Sequence, residues 1–162
     1  MSADEAARRR RLCAVSLDES SIDRGSADQE HERAIAIYDL IEENSFAAPG
    51  RDDGPYALRI GMHDSRLAFD VRTMSGEMVL SFGLSLTPFR SILKDYFLIC
   101  ESYYAAIRTA SPAQIEAIDR SRGALHNEGA DLVAQRLADK VDVDSATARR
   151  LFTLICALHW KA

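Results

Sequence analysis

The stretch LRIGMHDSRLAFDVRTMSGEMVLSFGL, residues 58–84, changes the period of the apolar residues from 3.6 to 2 and so decides the fold class. Leu58, Ile60 and Met62 alternate with Arg59, Gly61 and His63. Leu67, Phe69 and Val71 alternate with Arg66, Ala68, Asp70 and Arg72, and Met78, Leu80, Phe82 and Leu84 follow. The segments HDSR and TMSGE between them are short polar turns suited to hairpins. The pattern predicts a three-stranded antiparallel meander with one buried face, which LCAVSL, residues 12–17, can extend to four strands. That face needs a cover.

Helical patterns on both sides supply it. DQEHERAIAIYDLIEEN places Ala34, Ile37, Tyr38 and Ile41 at helical spacing, with Asp28 as the expected N-cap and acids in the first turn. FAAPGRDDGPY ends that helix as a loop. After the meander, Thr87 and Pro88 open a second helix, whose stripe runs Phe89, Ile92, Leu93, Tyr96, Phe97, Cys100, Tyr103, Tyr104 and Ile107. Leu98 and Ile99 lie off the stripe, so this helix is apolar over more than one face. It is expected either at the centre of the fold or in a dimer interface. Ser111 and Pro112 open a third helix, which either runs through Gly123 to about Lys140 or breaks there. A fourth begins near Asp144 or Ser145 and buries Leu151, Phe152, Leu154, Ile155 and Leu158. The expectation is an α+β fold: a small antiparallel β-meander of three to four strands covered by about four helices, in one domain over residues 12–162 preceded by a mobile basic arm, residues 1–11.

Across its 162 residues the chain is 47% hydrophobic and 28% charged, as ordinary globular domains are. No run of about 18 apolar residues is present, and the first 15 residues lack the apolar segment of a secretory signal, so no membrane contact and a cytoplasmic location are expected. Cys13, Cys100 and Cys156 are odd in number and widely spaced, which points to free thiols. The net charge of -5 disfavours nucleic-acid binding by the body of the protein. Arg8 to Arg11 are the exception. Without residues 1–11, which hold four arginines and two acids, 16 basic residues face 23 acidic ones. Such an arm either grips RNA or an acidic partner or is simply a solvated terminus.

The blocks EHERAIAIYDLIEENSF, GPYALRI, LSLTPFRSILKDYFLICESYYAAIR, QIEAIDRSRGALHNEGADL and ATARRLFTLICALHW together resemble a bacterial group catalogued as uncharacterised protein family 0262. The likeness covers about Leu12 to Trp160. It implies no particular activity, and the arginine run lies outside the matching blocks.

Chemistry therefore has to be argued from residues. His63 sits beside a turn at the polar end of a strand. His31 lies about 20 degrees from Tyr38 on a helical wheel, His126 the same from Val133, and His159 close to Phe152 and Ile155, so these three are expected to face apolar surfaces and to need partners for their ring nitrogens. No His-Glu-x-x-His or Cys/His knuckle is present, and Cys156 with His159 is at most a two-ligand clip, so neither metal nor cofactor is expected. Within GALHNEGADL, residues 123–132, His126 and Glu128 point about 160 degrees apart on a helix and cannot pair. Gly129 faces inward and marks a tight crossing point. Arg122 and His126 stand as Arg-x-x-x-His. The nearby Arg120 to His126 spacing is similar to the Arg-to-His motif of HEPN ribonucleases, where imidazole moves a proton and guanidinium neutralises a phosphate. A catalytic pair at His126 and Arg122 requires a histidine and an arginine to converge on an open cleft. Glu128, His31, Arg149 and Arg150 are the further binding candidates. Arg149 and Arg150 lie near the start of a helix, where its dipole disfavours cations, so they should pair with acids such as Glu128 or Glu101 or bind an anion.

The first expectation is a small cytosolic, non-catalytic regulatory or adaptor protein acting through a protein-binding surface, its expected partner being another protein or a second copy in a homodimer. The alternatives are an RNA-directed phosphodiesterase using Arg122 and His126, and nucleic-acid binding through Arg8 to Arg11.

Overall fold

A computed structural model describes residues 2–159. Met1, at the start of the expected arm, and residues 160–162, at the end of the expected domain, lie outside them. In chain order the elements are α1 (Ala3–Arg9), β1 (Leu12–Leu17), α2 (Ala27–Glu42), β2 (Phe46–Ala47), β3 (Tyr56–His63), β4 (Arg66–Thr73), β5 (Met78–Ser85), α3 (Arg90–Thr109), α4 (Pro112–Leu137), β6 (Asp142–Val143) and α5 (Ser145–His159). The fold is α+β.

The meander forms over residues 56–85, with β3 antiparallel to β4 and β4 to β5. Tyr56, Leu58, Ile60, Leu67, Phe69 and Val71 are buried on one face. On the other, Arg59, Arg72 and Ser81 are exposed. The sheet is not purely antiparallel: β1 joins its edge in parallel with β3, giving the order β1-β3-β4-β5. A parallel neighbour needs a long crossover, and α2 is that crossover. Asn44 clasps the end of α2 to β1, its amide donating to the carbonyls of Leu40 and Leu12 and its Oδ1 accepting from Leu12 N–H at 2.7 Å. The two-residue pair of β2 with β6 ties the same corner to the start of α5.

Residues Ala3–Arg9, within the expected arm, form a helix capped by Ser2. Arg9 pairs with Asp52 at 3.1 Å, Arg10 with Asp142 at 3.6 Å, and Arg11 donates to the Ile41 carbonyl at 2.5 Å. Three of the four arginines are thus engaged within the chain.

The centre of the helical layer is α5, not α3. Nine residues of α5 are buried, among them Thr147, Ala148, Cys156 and Ala157 beside Leu151, Phe152, Leu154, Ile155 and Leu158. Helices α2 and α4 flank it, and α3 packs on α4 with only Leu93 and Ala106 fully buried. Small side chains explain the difference, because a helix carrying Ala, Cys and Thr between its large residues admits neighbours on several sides. The far end of α5 is held by α2. Gln29 and the buried Arg33 both donate to the Leu158 carbonyl, and Arg33 also pairs with Glu30 at 2.9 Å.

Caps follow local chemistry. Ser111 caps α4 in a capping box with Gln114, and Pro112 follows it. Ser26 caps α2 in place of Asp28, and Thr87 is no side-chain cap, since Thr87–Phe89 form a 3-10 turn leading into α3. Helix α4 runs unbroken through Gly123.

Gly129 is the tight crossing point. A Cβ there would lie 2.2 Å from Cζ of Phe152, whose ring is fully buried, whereas a Cβ on Gly123 would meet nothing within 4 Å. Gly129→Ala should therefore cost about 2 kcal/mol or more in urea unfolding through overpacking, while Gly123→Ala should stabilise by about 0.5–1 kcal/mol through helix propensity. Equal effects of the two substitutions would contradict the packing described.

Candidate functional site

His126 stands on α4 one turn before Gly129, at the edge of the notch that holds Phe152. Its ring lies edge-on to Phe152, with centroids 5.2 Å apart, and 5.6 Å from Tyr96 of α3. Nε2 lies 2.8 Å from the Thr153 hydroxyl oxygen. Thr153 in turn donates to the Arg149 carbonyl one turn back, at 3.1 Å. A hydroxyl that spends its proton on a carbonyl accepts from the ring, so the network assigns the imidazole proton to Nε2. Nδ1 then carries a lone pair, and it is buried with no hydrogen-bond partner among the described residues. Burial, and the positive charge of Arg149 next, lower the affinity of His126 for a second proton. His126 is neutral at neutral pH, and neither nitrogen is offered to solvent as a free base.

Arg122 does not join it. Its guanidinium lies 3.9 Å over the Tyr103 ring and pairs with Asp119 at 2.6 Å. Burial opposes its charge, but Asp119 outweighs burial and holds the guanidinium protonated. The arginine that acts on His126 is Arg149, from α5.

Two clefts open beside this network. The smaller, about 240 Å³, is lined by His126, Ala146, Arg149, Arg150 and Thr153. The larger, about 500 Å³, shares Arg150 and Thr153 and adds Ala36, Asp39, Glu42 and Glu43 from the α2 side. Arg150 pairs with Glu43 at 3.5 Å, and Arg149 is hydrogen-bonded to Asn127 Oδ1. Neither meets Glu128 or Glu101. Arg149 forms no ion pair among the described residues, and Glu128 is exposed and likewise forms none.

His31 is exposed on α2, because the face that α2 buries carries Gln29, Arg33, Ala36 and Leu40, with Ile37 and Ile41 of the expected stripe half-buried beside it and Ala34 and Tyr38 exposed. The buried Arg33 displaced that face; a charged residue in mid-helix gave no apolar signal. His159 is half-buried at the end of α5. No group of three or more His, Cys, Asp or Glu side chains is placed to hold a metal among the described residues.

A third opening, of about 190 Å³, is apolar. It is a groove between α2 and α3, walled by Ile35 and Ala36 on one side and Phe97, Cys100 and Tyr104 on the other, with Thr153, Cys156 and Ala157 of α5 as its floor. Burial raises the thiol pKa of both Cys100 and Cys156, so neither is a ready thiolate. Sequence reasoning missed this groove because the Tyr104 side of α3 reads as ordinary core. Thr153, present at all three openings, gave no signal of its own.

A mixed four-stranded sheet covered on one face by helices, with charged and apolar openings around one helix, defines a small α+β fold. The chain belongs to Uncharacterised protein family (UPF0262), whose model matches residues 9–161. It is 65% identical to a UPF0262 protein of Azorhizobium caulinodans over 153 residues, 93% of this chain and 94% of that one. A Methylobacterium radiotolerans UPF0262 protein is 62% identical over 151 residues, 93% and 94% of the two chains. One from Hyphomonas neptunium is 56% identical over 149 residues, 92% of each. No solved structure matches the fold. Among the described residues no helix is long and apolar enough to cross a membrane.

The state of His126 is open to measurement. In the fold it resists protonation, while in the unfolded chain it takes a proton at its ordinary value of 6.5. Its stabilising effect is thus complete above that value and is lost as pH falls through it toward the lower folded-state value. Between about pH 7.5 and about pH 5.5, urea unfolding should show the native protein losing more stability than His126→Gln. Parallel losses would show that the ring is not held neutral.

Proposed function

We propose that this protein is a non-catalytic regulatory or adaptor module of the cytoplasm, and that its working surface is the apolar groove between α2 and α3. The carrying observation is the exposure of large apolar side chains along that groove: Ile35 at 41%, Tyr104 at 65% and, one turn beyond, Ile107 at 51%. Large apolar side chains clustered in this way mark interaction sites. Three cysteines with free thiols accord with a reducing compartment.

The partner is an amphipathic helix of another protein. From Phe97 to Ile107 the α3 wall extends roughly 15 Å, about three helical turns, the scale on which helix-in-groove recognition works. The α2 rim is acidic, with Glu32 lining the groove and Asp39 and Glu42 further along the same helix. The docked helix therefore carries Lys or Arg on the flank that meets α2. Two copies meeting groove to groove would oppose two acidic rims, which disfavours a homodimer through this face. Leu98, 52% exposed, belongs to the opposite flank of α3. A phosphodiesterase reading draws no support from the geometry, since Arg122 and His126 have separate partners.

A photo-crosslinking residue placed at Ile35 or at Tyr104, in the cells that make the protein, should capture one and the same protein, and the same probe at Glu116 should not. A synthetic helix from the captured region should bind the purified chain and weaken roughly tenfold on Asp39→Lys with Glu32→Lys. Solution scattering should give a monomer. A dimer abolished by Tyr104→Glu would assign the groove to a second copy and overturn the partner-helix reading.

A further inference from the structure

The two charged clefts on the other side of Thr153 call for a different occupant. Arg149 and Arg150 lie in the second turn of α5, on the strip of that helix that meets solvent. Arg150 is offset by Glu43, but Arg149 forms no ion pair among the described residues and leans on the neutral amide oxygen of Asn127, with Asp131 lining a further cleft beside them. His126 adds no negative charge. The smaller cleft, lined by both arginines, has no carboxylate among its lining residues. Its neighbour is of opposite sign, with Asp39, Glu42 and Glu43 lining it and Arg150 standing at the boundary. Two adjoining clefts of opposite charge, open to solvent and sharing a wall, suit a molecule with an anionic end and a cationic end.

We propose that these paired clefts bind a phosphorylated primary amine, its phosphoryl group on Arg149 and Arg150 and its ammonium among Asp39, Glu42 and Glu43. Two guanidinium forks on successive residues can share the oxygens of a phosphoryl dianion. The alternation of charge admits the zwitterion over a bare anion, which offers Asp39 and Glu42 of the neighbouring cleft no cation. Thr153 and His126 position the site: their hydrogen-bond chain ends on the carbonyl of Arg149 and so fixes the backbone that carries the first fork. This chemistry occurs in a soluble phosphorylated amine and in an aminophospholipid headgroup. The inference does not rest on the helix groove, whose apolar walls lie across Thr153.

Calorimetric titration of the full chain with phosphoethanolamine, inorganic phosphate and ethanolamine tests it. Phosphoethanolamine should bind more tightly than either fragment. Arg149→Gln should weaken it roughly tenfold or more, and Arg149→Lys less. Asp39→Asn with Glu42→Gln should weaken phosphoethanolamine while sparing phosphate. Co-sedimentation with phosphatidylethanolamine vesicles, against phosphatidylglycerol vesicles, separates the sources: sedimentation lost in Arg149→Gln assigns the headgroup, and its absence assigns the soluble amine. No heat with phosphoethanolamine together with no vesicle binding overturns the proposal, as does phosphate binding as tightly as phosphoethanolamine. Arg149 is exposed, so its variants should fold with an unchanged circular dichroism spectrum. Asp39 and Glu42 serve both readings, so Arg149→Gln, at a residue outside the helix groove, is the variant that separates them: it should leave the crosslink at Tyr104 unchanged.

Discussion

The seat of the Phe152 ring on Gly129 is the contact on which the helical layer depends. A side chain at position 129 would hold α4 off, and with it Tyr96 of α3, which packs edge-on against the same ring at 5.8 Å. Because a whole aromatic ring fills the notch, the crossing is both close and full, and α5 can be enclosed while α2 comes up on its other side. Thr153, next to Phe152 and pointing the other way, is brought to the surface where the three openings meet.

The site follows from the same geometry. A helix buried along most of its length shows solvent only a narrow strip, and on α5 that strip carries Arg149, Arg150 and Thr153. The polar groups of the protein's most enclosed helix are therefore gathered in one place by default. Burial has a second effect there. It strips water from His126 and leaves its Nδ1 without a hydrogen-bond partner among the described residues, so the ring works as a fixed neutral strut between α4 and α5.

Much of this was legible from residues 58–84, where strict alternation left no choice but strands, and from Ser111–Pro112, a start signal followed by a box partner at Gln114. Gly129 was legible too, since a glycine on the inward line of a helix has few other uses. The parallel strand was not: six residues of LCAVSL state a strand but not a direction, which α2 and Asn44 decide. Of the two places open to α3, the centre of the fold is taken by α5 instead, for a physical reason. Apolar periodicity measures how much a helix could bury, and α3, rich in tyrosine and phenylalanine, scores highest while lying outermost. What a helix does bury depends on how closely neighbours approach, and that is set by small residues such as Ala148, Cys156 and Ala157. The pairing of Arg122 with His126 failed because a one-turn spacing says nothing about where a long side chain goes, and Tyr103 and Asp119 took the guanidinium.

The parallel pairing of β1 with β3 also orders events in time. The meander consists of hairpins whose strands are neighbours in sequence, so it can zip from its turns within a short stretch of chain. β1 has no such local route. Its partner Tyr56 lies beyond α2 and the following loop, and the loop-closure entropy is repaid only when that helix is in place. On a ribosome, residues 12–17 emerge well before the strand they must lie beside, and wait for it.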